Sequence, residues 1–337
     1  MRKKLSAKVY GALMGVAVGD AMGMPSEMWS RQKIAKHFGE INTFLPGPPE
    51  NSISKGLAAG EVTDDTLLSL LVAESMIEQG GRILPQQIME KIIEWAQKDT
   101  AKINNIIGPS TKKAFALFSQ GIPIAETGKF GTTNGGAMRI IPVGIISDWR
   151  KLDNLVENVR LACLPTHNTS TAIGGAAAIA AAVSYCIDGD NDLATMLQVA
   201  KIACQKGLCL GYQTIGASIS KRIEIGIEIV KNGNSVNEIL QSIYDIIGSG
   251  LATTESVPAA LTLVYLAQGD PVKCAYFAAN LGGDTDTIGA MSCGICGAFS
   301  GITAFPADYI NLITKTNAID FSHVAQKLWM YRIENCR

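Results

Sequence analysis

Apolar positions along this chain recur mostly at spacings of three and four, the period that returns side chains to one face of an α-helix. Leu67, Leu68, Leu71 and Val72 form one such face ahead of Gly80-Gly81, a pair suited to ending a helix. Ile88, Ile92 and Trp95 repeat the pattern, and Leu193, Leu197 and Ala200 lead to a stop at Gly207. Ser235-Val-Asn-Glu238 reads as a capping box, followed by Leu240, Ile243 and Ile247 and a terminating Gly248. Phe321 to Trp329 reads as a closing amphipathic helix. One segment competes, because Ile223, Ile225, Ile227 and Ile229 alternate with Glu224, Gly226 and Glu228 at the period of a strand. With no regular succession of β-branched runs around it, it is read as helical. The stretch from Gly39 to Gly60, with its Pro46-Gly-Pro-Pro run, reads as one long irregular loop. Neither a Ser/Gly/Pro linker nor a repeat of fixed period divides the chain, so residues 1–337 are expected to form a single all-α, multi-helix domain.

Composition narrows the partners. Lys+Arg 29 against Asp+Glu 30 leaves a net charge of −1, which excludes polyanion binding through a global basic excess, so neither nucleic acid nor an anionic membrane is expected as partner. An apolar fraction of 47% with only 6% aromatic residues points to a core of small aliphatic side chains and excludes disorder as the dominant state. Two uncharged stretches, Leu164 to Ile187 and Thr287 to Pro306, are long enough to cross a bilayer, but their Ala, Gly, Ser and Thr content makes buried central helices the expectation. The eight cysteines are spread from Cys163 to Cys336 and read as reduced, buried thiols, and the Cys293–Cys296 CxxC lacks a second pair or a nearby histidine. Arg2-Lys3-Lys4 ahead of Tyr10–Val18 resembles a signal peptide, but Lys8 and Asp20 interrupt the pattern and no small-x-small cleavage site follows. A cytoplasmic monomer is the expectation.

Five polar clusters could carry chemistry. Thr63-Asp64-Asp65-Thr66 stands at a loop-to-helix junction, where one such residue would serve as an N-cap. Two ionised carboxylates about 4 Å apart repel by roughly 4 kcal/mol at an effective dielectric near 20, a conflict that a cation would resolve. Gly282-Gly283-Asp284-Thr285-Asp286-Thr287-Ile288-Gly289 is either a second doubled cap or a further set of hard oxygen ligands. Together the two clusters suit Mg²⁺ or Mn²⁺ rather than a thiolate or imidazole site. Gly131-Thr-Thr-Asn134-Gly135-Gly136-Ala137-Met138-Arg139 can present backbone amides to phosphate or sugar oxygens, or be a surface turn. His167, in Pro165-Thr166-His167-Asn168, reads as a lone histidine at a helix start, a position more often structural than catalytic. In Gly15-x3-Gly19-Asp20-x2-Gly23-x-Pro25-x-Glu27, helix packing explains Gly15 and Gly19 but leaves Asp20 and Glu27 unexplained.

The order GxxxGDAxGxPxE, TDDT, TNGGAMR, THN and GGDTDTIG, running from about Gly11 to about Gly297, resembles the ADP-ribosylglycohydrolase family. The resemblance implies that family's compact all-helical orthogonal bundle, with two Mg²⁺ or Mn²⁺ ions in a cleft that receives ADP-ribose. Matched by position, it implies metal ligation by Thr63, Asp64, Asp65, Asp284, Asp286 and Thr287. It implies catalytic roles for Glu27, Asp65 and Asp286, Glu27 resembling a mobile acid that closes over the metals. Asn134, Gly135, Gly136 and Met138 resemble a loop holding the distal ribose and phosphates, and His167 a contact to the ribose or diphosphate; Asp20 is given a supporting place. One departure stands out: many relatives carry an acid just before an Ile-Gly followed by a threonine, where this chain has Asn105-Ile106-Ile107-Gly108-Pro-Ser-Thr111, with Asp99 as a conceivable substitute. The implied activity is hydrolysis at the anomeric carbon of ADP-ribose attached to a protein side chain or small acceptor. A nucleoside or other riboside hydrolase is the alternative, and a non-catalytic, crystallin-like relative is disfavoured by the intact acidic motifs.

Overall fold

Two glycine-striped helices pack through the middle of the protein at backbone distance. In the computed structural model, which describes residues 2–98 and 107–336, helix α1 (Arg2–Gly23) places Gly11, Gly15, Gly19 and Gly23 on one face, one turn apart. They meet the late helix Thr285–Ser300 in reverse order: a Cβ on Gly15 would lie 2.1 Å from the Cys293 carbonyl oxygen, and one on Gly19 2.0 Å from that of Gly289. Gly11 opposes Gly297 in the same way, and Gly23 opposes Thr285. The pairing is antiparallel, so the C-terminal end of α1 sits against the N-terminal end of its partner. Both helices are buried along most of their length.

The late helix of the pair is α12 (Thr285–Ser300), and the other long helices wrap the two: α2 (Arg31–Phe38), α3 (Asp64–Glu78), α4 (Pro85–Lys98), α5 (Pro109–Ser119), α6 (Leu152–His167), α7 (Ser170–Asp188), α8 (Leu193–Gly207), α9 (Ile219–Asn232), α10 (Thr253–Leu266), α11 (Pro271–Ala279), α13 (Ala307–Asn317) and α14 (Phe321–Asn335). Strand pairing among the described residues is limited to three isolated bridges, Trp29–Gly283, Thr133–Ala252 and Thr169–Tyr212. The protein is all-α, as the periodicity predicts. The Ala-rich helix α7 is long and apolar enough to span a membrane but is buried within the protein, and the Gly39–Gly60 region holds no helix.

The alternating isoleucines lie on α9, helical as read, where Ile223 and Gly226 face inward and Ile225 is exposed. Several other local readings change. The capping box is half made: Ser235 accepts from Glu238 N, but the Glu238 carboxylate accepts from Asn234 N instead of Ser235 N. The helix it starts, Val236–Ser242, widens into a π-turn at Ile243–Ile247 before Gly248 ends it at φ 84°. Helix α14 extends past Trp329 to Asn335, and its Arg332 is buried and donates to the carbonyls of Ile145, Ser147 and Ser184 while pairing with Asp188 at 2.9 Å. His167 ends α6 instead of opening the Ala-rich helix, which Thr169 caps. The cysteines are free, and six are buried, but Cys209 is exposed and Cys336 half-buried.

Candidate active site

The antiparallel packing of α1 on α12 brings the acids of the first and last motifs to one place, and Asp20, on the last turn of α1, organises it. Its carboxylate accepts from Thr63 N at 3.1 and 3.0 Å, from Thr63 Oγ1 at 2.8 Å, from Thr66 N at 3.1 Å and from Thr66 Oγ1 at 2.5 Å. The free amides that open α3 are therefore capped from another helix, and Thr63 makes no side-chain cap of its own. That arrangement releases Asp64 and Asp65 from capping duty and corrects the reading of the TDDT turn as a self-capped helix start. Asp284 likewise sits at the N-cap position of α12 without capping it.

The released carboxylates converge. Oxygens of Asp20, Asp65 and Asp286 lie within 4.8 Å of one another, as do oxygens of Glu27, Asp284 and Asp286. Asp286 belongs to both groups, and Asp64 lines the same cavity. Thr287 Oγ1 donates to Asp65 Oδ2 at 3.2 Å and Thr63 Oγ1 reaches the same oxygen at 3.3 Å. Glu27 is partly exposed; the others are buried.

Burial together with mutual repulsion holds the carboxyls of Glu27, Asp64, Asp65 and Asp286 well above the usual carboxylate range. Burial raises Asp284 too, against the hydrogen bond from Asn134, and pushes Asp20 up to about 6 against its four threonine donors. Asp65 Oδ1 and Asp286 Oδ1 are buried and have no hydrogen-bond partner among the described residues. Orphaned carboxylate oxygens in a cluster of like charges are costly in a protein interior. An all-oxygen donor set of this kind could hold a hard divalent cation, and the carboxylates near enough to share one are Asp20, Asp65 and Asp286 on one side and Glu27, Asp284 and Asp286 on the other.

The loop around the cluster is tied down from several sides. Met28, at φ 57°, donates to Gly283 O at 2.7 Å and Gly283 N returns a bond to Trp29 O at 2.9 Å, which fixes the Glu27 segment to the turn before Asp284. Asn51 Nδ2 donates to Glu27 O at 2.9 Å, and Asp284 N to Ser249 O at 2.7 Å. Asn134 sits at the N-cap position of the short helix Gly135–Met138 without capping it, and its side-chain amide donates instead to Asp284 Oδ2. The TNGGAMR segment is buried from Asn134 onward, not a surface turn.

The cavity encloses about 40 Å³ and is lined by Glu27, Asp64, Asp284, Asp286 and Thr287 on one side, and by Gly108, Pro109, Thr111, Thr133, Asn134, Gly135, Met138 and Leu251 on the other. Gly136 lies behind the wall, against Cys163 and His167. His167 does not reach the cavity: it is fully buried, with Nδ1 2.7 Å from Thr166 Oγ1 and Nε2 3.0 Å from Thr133 Oγ1. It stands one layer back, as a buttress of the loop expected to hold ribose and phosphate.

Sequence reasoning passed over Leu251 and Ser249, delivered by the π-turn, and Asn51, from the irregular loop; only the glycines flanking Ser249 hint at a special backbone there. Thr133 and Arg139 lie inside a recognised motif but receive no role from it. Gly108, Pro109 and Thr111 of the departing segment do line the cavity. Asp99, Asn105 and Ile106 lie outside the described residues.

The chain is 42% identical over 328 residues to the uncharacterized protein YegU of Escherichia coli K12, covering 96% of this chain and 97% of that one. It is 24% identical to the ADP-ribosylarginine hydrolase Tri1 of Pseudomonas putida, over 96% of this chain and 78% of that one. It is 22% identical to the human ADP-ribosylhydrolase ARH3, over 90% and 88%. The fold matches a solved ADP-ribosylglycohydrolase-related protein complex with a TM-score of 0.70 over 98% of this chain and 99% of that one, at 22% identity. With residues 1–337 matching the family's sequence profile from end to end, the chain belongs to the ADP-ribosylglycohydrolase family.

Proposed function

We infer that this protein is a hydrolase that cleaves the bond at the anomeric carbon of ADP-ribose attached to a protein side chain or small acceptor. The observation that carries the reading is the buried, mutually repelling carboxylate cluster with orphaned oxygens on Asp65 and Asp286, set beside a loop that presents Asn134 and Gly135 to the same cavity. Similarity to Tri1 and ARH3, named for action on ADP-ribosylated arginine and as an ADP-ribosylhydrolase, supports the substrate class. Two bound Mg²⁺ or Mn²⁺ ions would neutralise the cluster and supply Lewis acidity toward a water and the ribose hydroxyls.

The chain's own residues do the rest. Glu27, at the partly exposed edge of the cavity, takes the proton of the attacking water. Asn134 fixes the rotamer of Asp284 through its amide. The amides and small side chains of the Asn134–Met138 turn allow close approach of sugar and phosphate oxygens. At about 40 Å³ the cavity has room for water only, so admission of a nucleotide-sized ligand requires the first turn of α5 or the Glu27 segment to give way. Closure behind the ligand would exclude bulk water from the developing charge on the ribose.

The test is calorimetric titration of ADP-ribose in Mg²⁺, again after chelation, and into Asp286→Asn. Expected are metal-dependent binding in the native protein, its loss in the variant, and a fall in hydrolysis of ADP-ribosylated protein by roughly 100-fold or more with the fold intact. A fully active Asp286→Asn protein would overturn the assignment of the cluster, and binding of plain ribonucleosides in place of ADP-ribose would move the substrate to another riboside.

A further inference from the structure

Arg139 closes the TNGGAMR segment and is fully buried, yet among the described residues it has no carboxylate partner in a hydrogen-bonded ion pair. Its Nη2 donates to Thr166 Oγ1 at 2.6 Å and grazes Ala162 O at 3.5 Å, while Nε and Nη1 have no hydrogen-bond partner among the described residues. A guanidinium so placed is expensive as structure alone, since unsatisfied buried donors cost about 1–3 kcal/mol each. What it touches is one end of a chain of side-chain hydrogen bonds. From Thr166 Oγ1 the chain runs to His167 Nδ1 at 2.7 Å, from His167 Nε2 to Thr133 Oγ1 at 3.0 Å, and from Thr133 Oγ1 to Ser110 Oγ at 2.8 Å.

The direction of every bond follows from the first. Arginine has donors and no acceptor, so Thr166 Oγ1 must accept from it. Among the described residues the single hydroxyl proton of Thr166 then has one acceptor within reach, His167 Nδ1. A neutral imidazole that accepts at Nδ1 carries its proton on Nε2 and donates it to Thr133 Oγ1. Burial, reinforced by the Arg139 charge, keeps the ring neutral by holding its pKa well below the usual histidine value. Thr133 is left with its own proton directed at Ser110, on the first turn of α5. Thr133 and the α5 residues Pro109 and Thr111 are walls of the cavity.

We propose that Arg139 is a positioning residue: through Thr166 it fixes His167 as the Nε2–H tautomer, and that ring locks the Thr133–Asn134 loop to the first turn of α5, setting the spacing of the ligand cavity. His167 thus acts from behind the wall, and the cation that sets it lies one residue beyond Met138. The effect on ligand affinity rests on the ADP-ribosyl reading above; the tautomer does not.

The test uses the full chain labelled with ¹⁵N-histidine. Of the three histidines, His37 and His323 are exposed and serve as internal references for averaging tautomers. The native protein should show His167 as a single species protonated at Nε2, with a hydrogen-bonded acceptor signature at Nδ1. Arg139→Met and Thr166→Val should each abolish that signature and weaken binding of free ADP-ribose in Mg²⁺ about tenfold, with no further loss when combined, because both break the same chain. Arg139→Lys, which keeps a cationic donor, should restore the tautomer. Methionine is a fair replacement because a buried cation with two idle donors is often exchanged for an apolar chain without loss of fold, and Thr166→Val decides the matter if Arg139→Met does not fold. A proton found on Nδ1, or unchanged spectra in the variants, would overturn the proposal. Failure of the native protein to bind ADP-ribose would overturn only the substrate reading, since the spectra remain decisive.

Discussion

Single hydrogen bonds decide what the acidic turn before α3 can do. Asp20 supplies the cap that Thr63 or Asp64 would otherwise provide, and the hydroxyl of Thr66 gives its shortest bond, at 2.5 Å. Thr66→Val keeps the shape of this buried side chain and deletes that donor to a charged acceptor, which should cost about 1.5–3 kcal/mol. The measurement is the denaturant midpoint of the Mg²⁺-saturated protein; an unshifted midpoint would mean that the backbone amides of Thr63 and Thr66 and the Thr63 hydroxyl hold Asp20 without the Thr66 hydroxyl. Activity should fall as well, because Asp65 is the next residue back along the turn. The role of Asp20 is illegible locally: capping arguments look three residues along the chain, and this cap arrives from more than 40 residues upstream.

At the scale of elements, the site depends on how closely α1 and α12 approach. Gly15 and Gly19 read as packing glycines from spacing alone, but their partners do not, because nothing in a sequence pairs one glycine stripe with another 270 residues away. Gly289 reads as part of the acidic motif and turns out to be the surface on which Gly19 rests. Helix existence was legible wherever apolar spacing met a stop signal, as at Gly80-Gly81 and Gly207; the π-turn and the end of α14 were not, since both depend on tertiary contacts of Ile243–Ile247 and Arg332. Gly19→Ala should raise intrinsic helix propensity by about 1 kcal/mol yet destabilise the protein by about 3 kcal/mol net, because the new methyl would stand 2.0 Å from a backbone carbonyl that cannot rotate away. The variant should also bind Mg²⁺ more weakly, since Asp20 and Asp286 sit at the end of the interface it wedges apart. A thermal melt and a metal titration check both, and an alanine tolerated at Gly19 would show that the helices separate freely without harm to the site.

For the molecule as a whole, the cluster turns cation binding and pH into terms of global stability. Carboxyls whose folded-state pKa is raised favour the folded state while they hold their protons, so their contribution is fully present below the unfolded value near 4 and fades as pH climbs. For Asp20 the loss is complete above about 6, and for Glu27, Asp64, Asp65 and Asp286 it continues toward neutrality. Glu157, Asp192, Glu224 and Asp320 are shifted downward and act in the opposite sense, but they are solvent-facing and screened. Protein stripped of cations should therefore melt at progressively lower temperature from pH 4.5 to 7.5, the reverse of ordinary acid denaturation. Mg²⁺ competes with those protons, so the stabilisation it confers should grow over the same range, reaching about 2.7 kcal/mol per site at a hundredfold excess over Kd. Asp286→Asn removes one charge from both carboxylate groups at once, and should flatten the pH dependence of the stripped protein while shrinking the Mg²⁺ response. Melting curves in chelator and in Mg²⁺ at each pH measure all three effects; a stripped protein that gains stability as pH rises, with no response to Mg²⁺, would mean that these carboxylates are neutralised by some means other than a cation.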